Sequence, residues 1–472
     1  MDKIQVEILD KHRNYLQYYK PNDTYWGVGI EHETYFEFSH MLNVNPDIFY
    51  TKNAKRERYS VDYYKSYKSG VYEDCIKKLI NNNTNYSKVP LLLNSNSFIK
   101  TDTNNEPLTT YNKNPVPNPQ FNGKTLFEFI CEKDSYFSEQ YMKTFVFDGD
   151  TIEFINLNFY KKTIQDVIEE LEHNKKEFMT RLQKVFKENY IFNQFGIINL
   201  CKTNYPFVSF MTNFNNCSIF NNMTYHFNFT LPTKLNKNCF IENYTLFIEQ
   251  HKNAINLIHW IEPLLIAVYG TGDIFAKVNP NVSGTSQRIA ISRYIGFGTY
   301  DVEKMTPGKI LHIESNNNHL SDMDYWWFNQ YYQKSDYTRE DMIGVDINFH
   351  KHKNHGIELR IFDYFDESKL EEAFTFIVLL LDHSLHKKIK SPVRNKLWND
   401  YVVDILNNRN AKIDHNLLIF YKTIFEFKKD VSSTFELYGK LQHVLLKKYK
   451  HQGVCYKNMI RHYKQHNLCN II

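Results

Sequence analysis

Glu31 and Glu33 lie two residues apart in the segment Gly29-Ile30-Glu31-His32-Glu33-Thr34. In a strand, residues two apart share a face, so both carboxylates point one way while Ile30 and His32 point the other. An isolated E-x-E is ordinarily a solvated strand face. Here the same alternation recurs. His226 and Asn228 share a face in Tyr225-His226-Phe227-Asn228-Phe229, with phenylalanines opposite, and Glu358 and Arg360 alternate with aliphatic residues in Gly356-Ile357-Glu358-Leu359-Arg360-Ile361. A fourth segment turns at Asp148-Gly149 and leads into a stretch bearing Glu153; alone it would be an ordinary D-G hairpin. Paired carboxylates backed by an apolar layer suit Mg²⁺, which takes oxygen ligands and is commonly shared with substrate phosphates. An arginine beside them can grip phosphate or carboxylate as a planar fork. The chemistry expected is nucleotide chemistry.

These residues need strands to hold them and helices to back the strands. A charged, Tyr-rich leader over residues 1–24 precedes a first expected strand at 27–38. Residues 40–140 carry many Asn, Lys, Tyr and Pro residues and are expected to be an irregular insertion with loops and short helices. Residues 144–155 read as extended chain around the D-G turn. An amphipathic helix follows at 163–189, with strands near 191–200 and 223–231. A second long helix over 243–268 ends at Tyr269-Gly270-Thr271-Gly272, where glycine is the usual helix stop. Strands at 344–349 and 356–362 flank a His-rich turn. Helices follow at 370–388 and from 395 onward, so residues 391–472 form a helical C-terminal region. The fold class expected is α+β, a mainly antiparallel sheet with helices on one face.

Bulk properties exclude several classes. With 42 % hydrophobic residues, 34 Tyr and 36 Phe, the chain has ample material for a core, which argues against disorder throughout. A formal net charge of +4 over 472 residues is too small to name a polyanionic partner, so no nucleic acid is expected. The seven cysteines are odd in number and never spaced C-x-x-C, which argues against a disulfide scaffold and a cysteine zinc site. No apolar stretch follows the charged N-terminal residues, and no run is long enough to span a bilayer, so the expected compartment is the cytoplasm, without a membrane partner.

The order G-[IV]-E-x-E, D-G-x(3)-E, H-x-[NH], a Gly-containing loop with S-x-R, and [IV]-E-[LI]-R-x-x-D resembles the glutamate-cysteine ligase and amidoligase branch of the glutamine-synthetase-like carboxylate-amine ligases. Each motif alone is weak; the five in order span about residues 25–390. The resemblance implies a curved antiparallel sheet as floor for ATP and Mg²⁺, with Mn²⁺ as the alternative metal. It puts Glu31, Glu33, Asp148, Glu153 and Glu358 at the metal, and His226, Asn228, Ser286 and Arg288 at the nucleotide. Arg360, Arg288 and Glu33 would act on the transferring group. The sequence departs from the family pattern at Gly270-Thr271-Gly272, where relatives often carry Ser-Pro, and the insertion and the C-terminal helices have no counterpart.

The activity implied is amide-bond formation between a carboxylate and an amine, small-molecule or peptide, through an acyl phosphate. No convincing Ser-His-Asp or Cys-His arrangement competes. Two rivals stand beside it: a guanidino-kinase-like phosphotransferase on the same type of sheet, and an inactive binding or structural protein that keeps the fold. Three other features read as structural. The spacing of His350, His352 and His355 matches no common zinc site. The aromatic run 325–332 is expected to pack into the core, and the basic C-terminal stretch reads as a solvated helix face.

Overall fold

The computed structural model describes residues 24–38, 93, 126–148, 151–156, 164–189, 197–202, 224–238, 240–272, 284–286, 288, 289, 300, 302, 346–349 and 355–452. The expected leader, most of the 40–140 insertion, the aromatic run, His350 and His352 lie outside them.

A six-stranded, wholly antiparallel sheet has the order β3-β4-β1-β6-β8-β7. Its strands are β1 (Thr24–Thr34), β3 (Phe145–Asp148), β4 (Thr151–Ile155), β6 (Thr224–Lys234), β7 (Ile347–Phe349) and β8 (Ile357–Leu359). The expected first strand is broken at Tyr35: β2 (Phe36–Phe38) leaves the sheet and pairs with β5 (Ile198–Leu200) in a separate two-stranded ribbon. The D-G segment is a hairpin in which Asp148 pairs with Thr151. The class is α+β, as the residue patterns predict.

One face of the sheet is apolar because alternate positions of every strand are. Val28, Ile30, Phe154, Phe227, Phe229, Ile347, Ile357 and Leu359 are all buried there. Helix α3 (Ile164–Glu188) lays its apolar stripe on β1 and β4, with Phe178 edge-on to Phe154 at 5.3 Å. Helices α4 (Tyr244–Tyr269) and α5 (Leu370–Ser384) cover β6, where Phe374 meets Phe227 and Phe229 at 5.2 and 5.1 Å. Each such ring, fully removed from water, contributes roughly 1.5–3 kcal/mol. Two short helices, α1 (Leu126–Lys133) and α2 (Tyr136–Gln140), close the β3 edge through Phe127 and Phe137, the first packing on Phe145 and Phe147, the second on Phe178.

Buried polar groups fix the layers in register. The Asn156 side chain accepts from the Ile30 amide at 2.8 Å and donates to the Val167 carbonyl at 3.0 Å, tying β1 to α3 beside Glu31. Asn243 caps α4 by accepting from the Leu246 amide. Pro263, inside α4, has no N–H to give the His259 carbonyl four residues earlier. That carbonyl accepts instead from Trp398 Nε1 at 3.0 Å.

Trp398 belongs to an outer layer of helices, α6 (Lys396–Asn407), α7 (His415–Phe425) and α8 (Thr434–Gln452). Tyr421 donates to the Trp260 carbonyl at 2.7 Å, and the Tyr269 and Tyr438 hydroxyls bond at 2.6 Å. Helix α4 is therefore apolar nearly all round because it is covered on both sides. Among the described residues no helix is long and apolar enough to cross a membrane.

Candidate active site

The second face of the sheet carries the chemistry. Residues directly opposite in an antiparallel pair share a face, and the register sets Glu33 against Glu153, Glu31 against His226, and Asn228 against Glu358, which in turn faces Asn348. Four carboxylates from β1, β4 and β8 therefore gather on one surface. Glu31, Glu33 and Glu358 are buried, and Glu153 is half-buried. Gly29, opposite Asn228, leaves that position of the row without a side chain.

His226 is the centre of the group. Its Nδ1 lies 3.6 Å from Glu31 Oε2, from Glu33 Oε1 and from Glu358 Oε1. Burial, reinforced by the Arg360 guanidinium, depresses its pKa to about 3 despite these carboxylates, so the imidazole is neutral near pH 7 and keeps a lone pair. The family resemblance implies a place at the nucleotide for His226; in the structure its ring lies among the carboxylates. Ligand atoms of Glu31, His226 and Glu358 all lie within 4.8 Å of one another, spacing suited to one cation.

Two guanidinium groups border the carboxylates. Arg360 Nη1 donates to Glu358 Oε1 at 2.6 Å, while Asn348 donates to Glu358 Oε2 at 2.7 Å. Arg288 is buried, and its Nε donates to the Arg360 carbonyl. Burial first and Arg360 second hold its pKa below the usual value, with Glu33 acting the other way. Two cations this close favour an anion between or beside them. The Asn228 side-chain amide and His226 Nε2 are buried with no hydrogen-bond partner among the described residues.

Arg288 is held by a hub that sequence reasoning missed. Asp363 Oδ1 accepts from the Arg288 amide at 2.9 Å, and Oδ2 accepts from the Ser286 hydroxyl at 2.6 Å and from the Thr271 amide at 3.4 Å. Burial raises the Asp363 pKa to about 6, against the pull of these donors. The signal available was the closing Asp of the [IV]-E-[LI]-R-x-x-D motif. Ser286, expected at the nucleotide, is fully buried, and its hydroxyl is committed to Asp363 while accepting from the Ile289 amide; it positions the loop. Asp148 ends β3 at the sheet edge, and its side chain lies outside the described ones. Asn348, the carboxylate's donor on β7, was also missed, because a lone Asn in a short strand carries no signal.

Helix α4 stops at Gly270 as expected, the Gly270 amide bonding the Ile266 carbonyl, and Gly270 and Gly272 have a further role. The Gly270 backbone is extended, with φ −64°, not left-handed. A Cβ there would sit 2.4 Å from the Ile266 carbonyl oxygen and 2.6 Å from that of Thr285; one on Gly272 would sit 2.6 Å from the Gly284 backbone. These glycines let residues 270–272 lie directly against the Arg288 loop.

An uncharacterized protein, R704, of Acanthamoeba polyphaga mimivirus is 41 % identical over 459 residues, covering 96 % of this chain and 80 % of the viral protein. No protein-family profile matches the chain, and no solved structure matches it.

Proposed function

Since the chain belongs to the family of the mimivirus protein R704, whose name carries no activity, we propose a function from the site itself: an ATP- and divalent-metal-dependent ligase that joins a carboxylate to an amine through an acyl phosphate. The observation that carries this reading is the charge arrangement on the polar sheet face. Carboxylates outnumber the two guanidinium groups around a neutral imidazole, and a divalent cation among them would favour their ionised forms. Glu31, Glu358 and His226 would hold that cation, with Glu33 and Glu153 beside it. The imidazole nitrogen in the set suits Mn²⁺ as well as Mg²⁺.

When bound, the cation and ATP supply an electrophilic phosphorus with its charge partly neutralised. Arg360 and Arg288 orient phosphoryl oxygens and stabilise the charge that develops on them. Asn228 offers a buried amide as donor and acceptor at the floor of the row. The apolar strand face and the helices packed on it exclude water from the opposite side of the sheet and so hold the strands that carry these residues rigidly in place. The order of motifs, which resembles the glutamate-cysteine ligase and amidoligase branch of the glutamine-synthetase-like enzymes, supports the same reading.

Thermal unfolding of wild type and Glu31→Ala, each with and without Mg-ATP, tests it without knowledge of the second substrate. A nucleotide- and metal-dependent rise in Tm in the wild type alone is the expected result. Absence of any shift in the wild type would overturn the reading. ADP release that requires both a carboxylate and an amine separates a ligase from a phosphotransferase, which needs no joined pair.

A further inference from the structure

The loop between α6 and α7 reaches the back of the Arg288 loop through one side chain. Arg409 is half-buried, and its Nη2 donates to the Gly270 carbonyl at 2.8 Å and to the Thr285 carbonyl at 3.2 Å; its Nη1 donates to the Ala267 carbonyl at 3.4 Å. These carbonyls belong to two different segments, the end of α4 and the loop leading to Arg288. The glycine positions place the two segments in backbone contact, and Asp363 ties both from the sheet side through Thr271, Ser286 and the Arg288 amide. Thr271 also donates to the Tyr364 carbonyl.

We infer that Arg409 is a positioning residue of the active site: its guanidinium clamps the α4 end to the Ser286-Arg288 loop and so holds Arg288 beside Arg360. The C-terminal helical region is thereby part of the site. Nη2 alone bridges the two segments and Nη1 adds the Ala267 carbonyl, and the planar fork fixes these N–H groups at set angles, which the freely rotating ammonium of a lysine does not. Preorganised donors also avoid reorganisation when an anion arrives. The role of Arg288 as an anion ligand rests on the ligase reading; the clamp does not.

Full-length wild type, Arg409→Ala, Arg409→Lys, Arg288→Ala and the Arg409→Ala/Arg288→Ala double variant decide the matter through two measurements. The first is amide hydrogen exchange. Arg409→Ala is expected to raise exchange in the segment around 284–289 by about tenfold or more, with β1, β6 and β8 unchanged, and Arg409→Lys to lie between it and wild type. The second is Mg-ATP affinity by calorimetry. Arg409→Ala should weaken it about tenfold in the wild-type background and have no further effect once Arg288 is absent. A generally destabilising substitution would instead loosen the strands and weaken binding in both backgrounds, and that result overturns the inference, as does unchanged exchange at 284–289. If Arg409→Ala proves insoluble, Arg409→Lys carries the same two readouts, and exchange at 284–289 or affinity equal to wild type in it overturns the requirement for a fork. Wild type that binds no Mg-ATP, with exchange at 284–289 still raised in Arg409→Ala, overturns the ligase reading and supports the clamp.

Discussion

Glu31 and His226 stand directly opposite each other on β1 and β6, with 3.6 Å between Glu31 Oε2 and the imidazole Nδ1. The neutral imidazole cannot cancel the neighbouring carboxylates, so their charge is the feature from which the metal reading follows.

Glu31→Gln keeps the side-chain shape and removes one of these charges. Mn²⁺ affinity, measured by calorimetry, is expected to fall at least about tenfold, with unfolding in metal-free buffer unchanged or slightly later. Undiminished Mn²⁺ binding would remove Glu31 from the ligand set.

Arg360→Lys retains the charge but loses the fork that reaches Glu358. Mg-ATP affinity or turnover should drop by about one to two orders of magnitude, because a point charge orients phosphoryl oxygens poorly. Wild-type behaviour in both would show that the guanidinium geometry is not used.

Asp363→Asn puts an NH₂ group where three donors now converge. At least one buried donor loses its acceptor, which costs about 1–3 kcal/mol. Limited proteolysis should cut near residues 284–289 first. A variant as stable and resistant as wild type would show that the hub tolerates a neutral amide.

Trp398→Phe preserves most of the ring volume but deletes the N–H that satisfies the His259 carbonyl left over by Pro263. A loss of about 1–3 kcal/mol is expected in denaturant unfolding. The companion change Pro263→Ala, which restores a helix N–H to that carbonyl, should recover part of it in the double variant. Additive losses would show that the two residues are not linked.

Asp382, buried on α5 with the His386 Nε2 at 3.7 Å, has its pKa raised by burial from 3.8 to about 7. Its native-state advantage is complete below pH 4 and is lost as pH rises through about 7, because the native protein must then hold a desolvated charge. The neighbouring His383 has the opposite sign. Burial depresses its pKa from 6.5 to about 4, so stability is lost as pH falls from 6.5 towards 4. Comparing wild type with Asp382→Asn isolates the carboxylate. The variant should gain on wild type as pH rises from about 4 to about 7, by an amount on the order of a few kcal/mol, in urea unfolding at each pH. A difference independent of pH would mean that Asp382 is ionised throughout.

The alternation of residue types by itself determined which strands exist and which side chains share a face, because a pleated chain sends successive side chains to opposite sides. Glu31 with Glu33 and His226 with Asn228 were legible for that reason, and the long amphipathic helix at 164–188 for its apolar residues at helical spacing. The break at Tyr35 was not, since nothing local marks where β1 must leave the sheet to pair with β5. Folding in three dimensions alone set His226 among three carboxylates, gave Ser286 to Asp363, and brought Arg409 to the Arg288 loop from 124 positions away in the chain. Strand register and contacts between distant segments set those distances, and both depend on how apolar layers stack across the whole molecule, which no single stretch of sequence encodes.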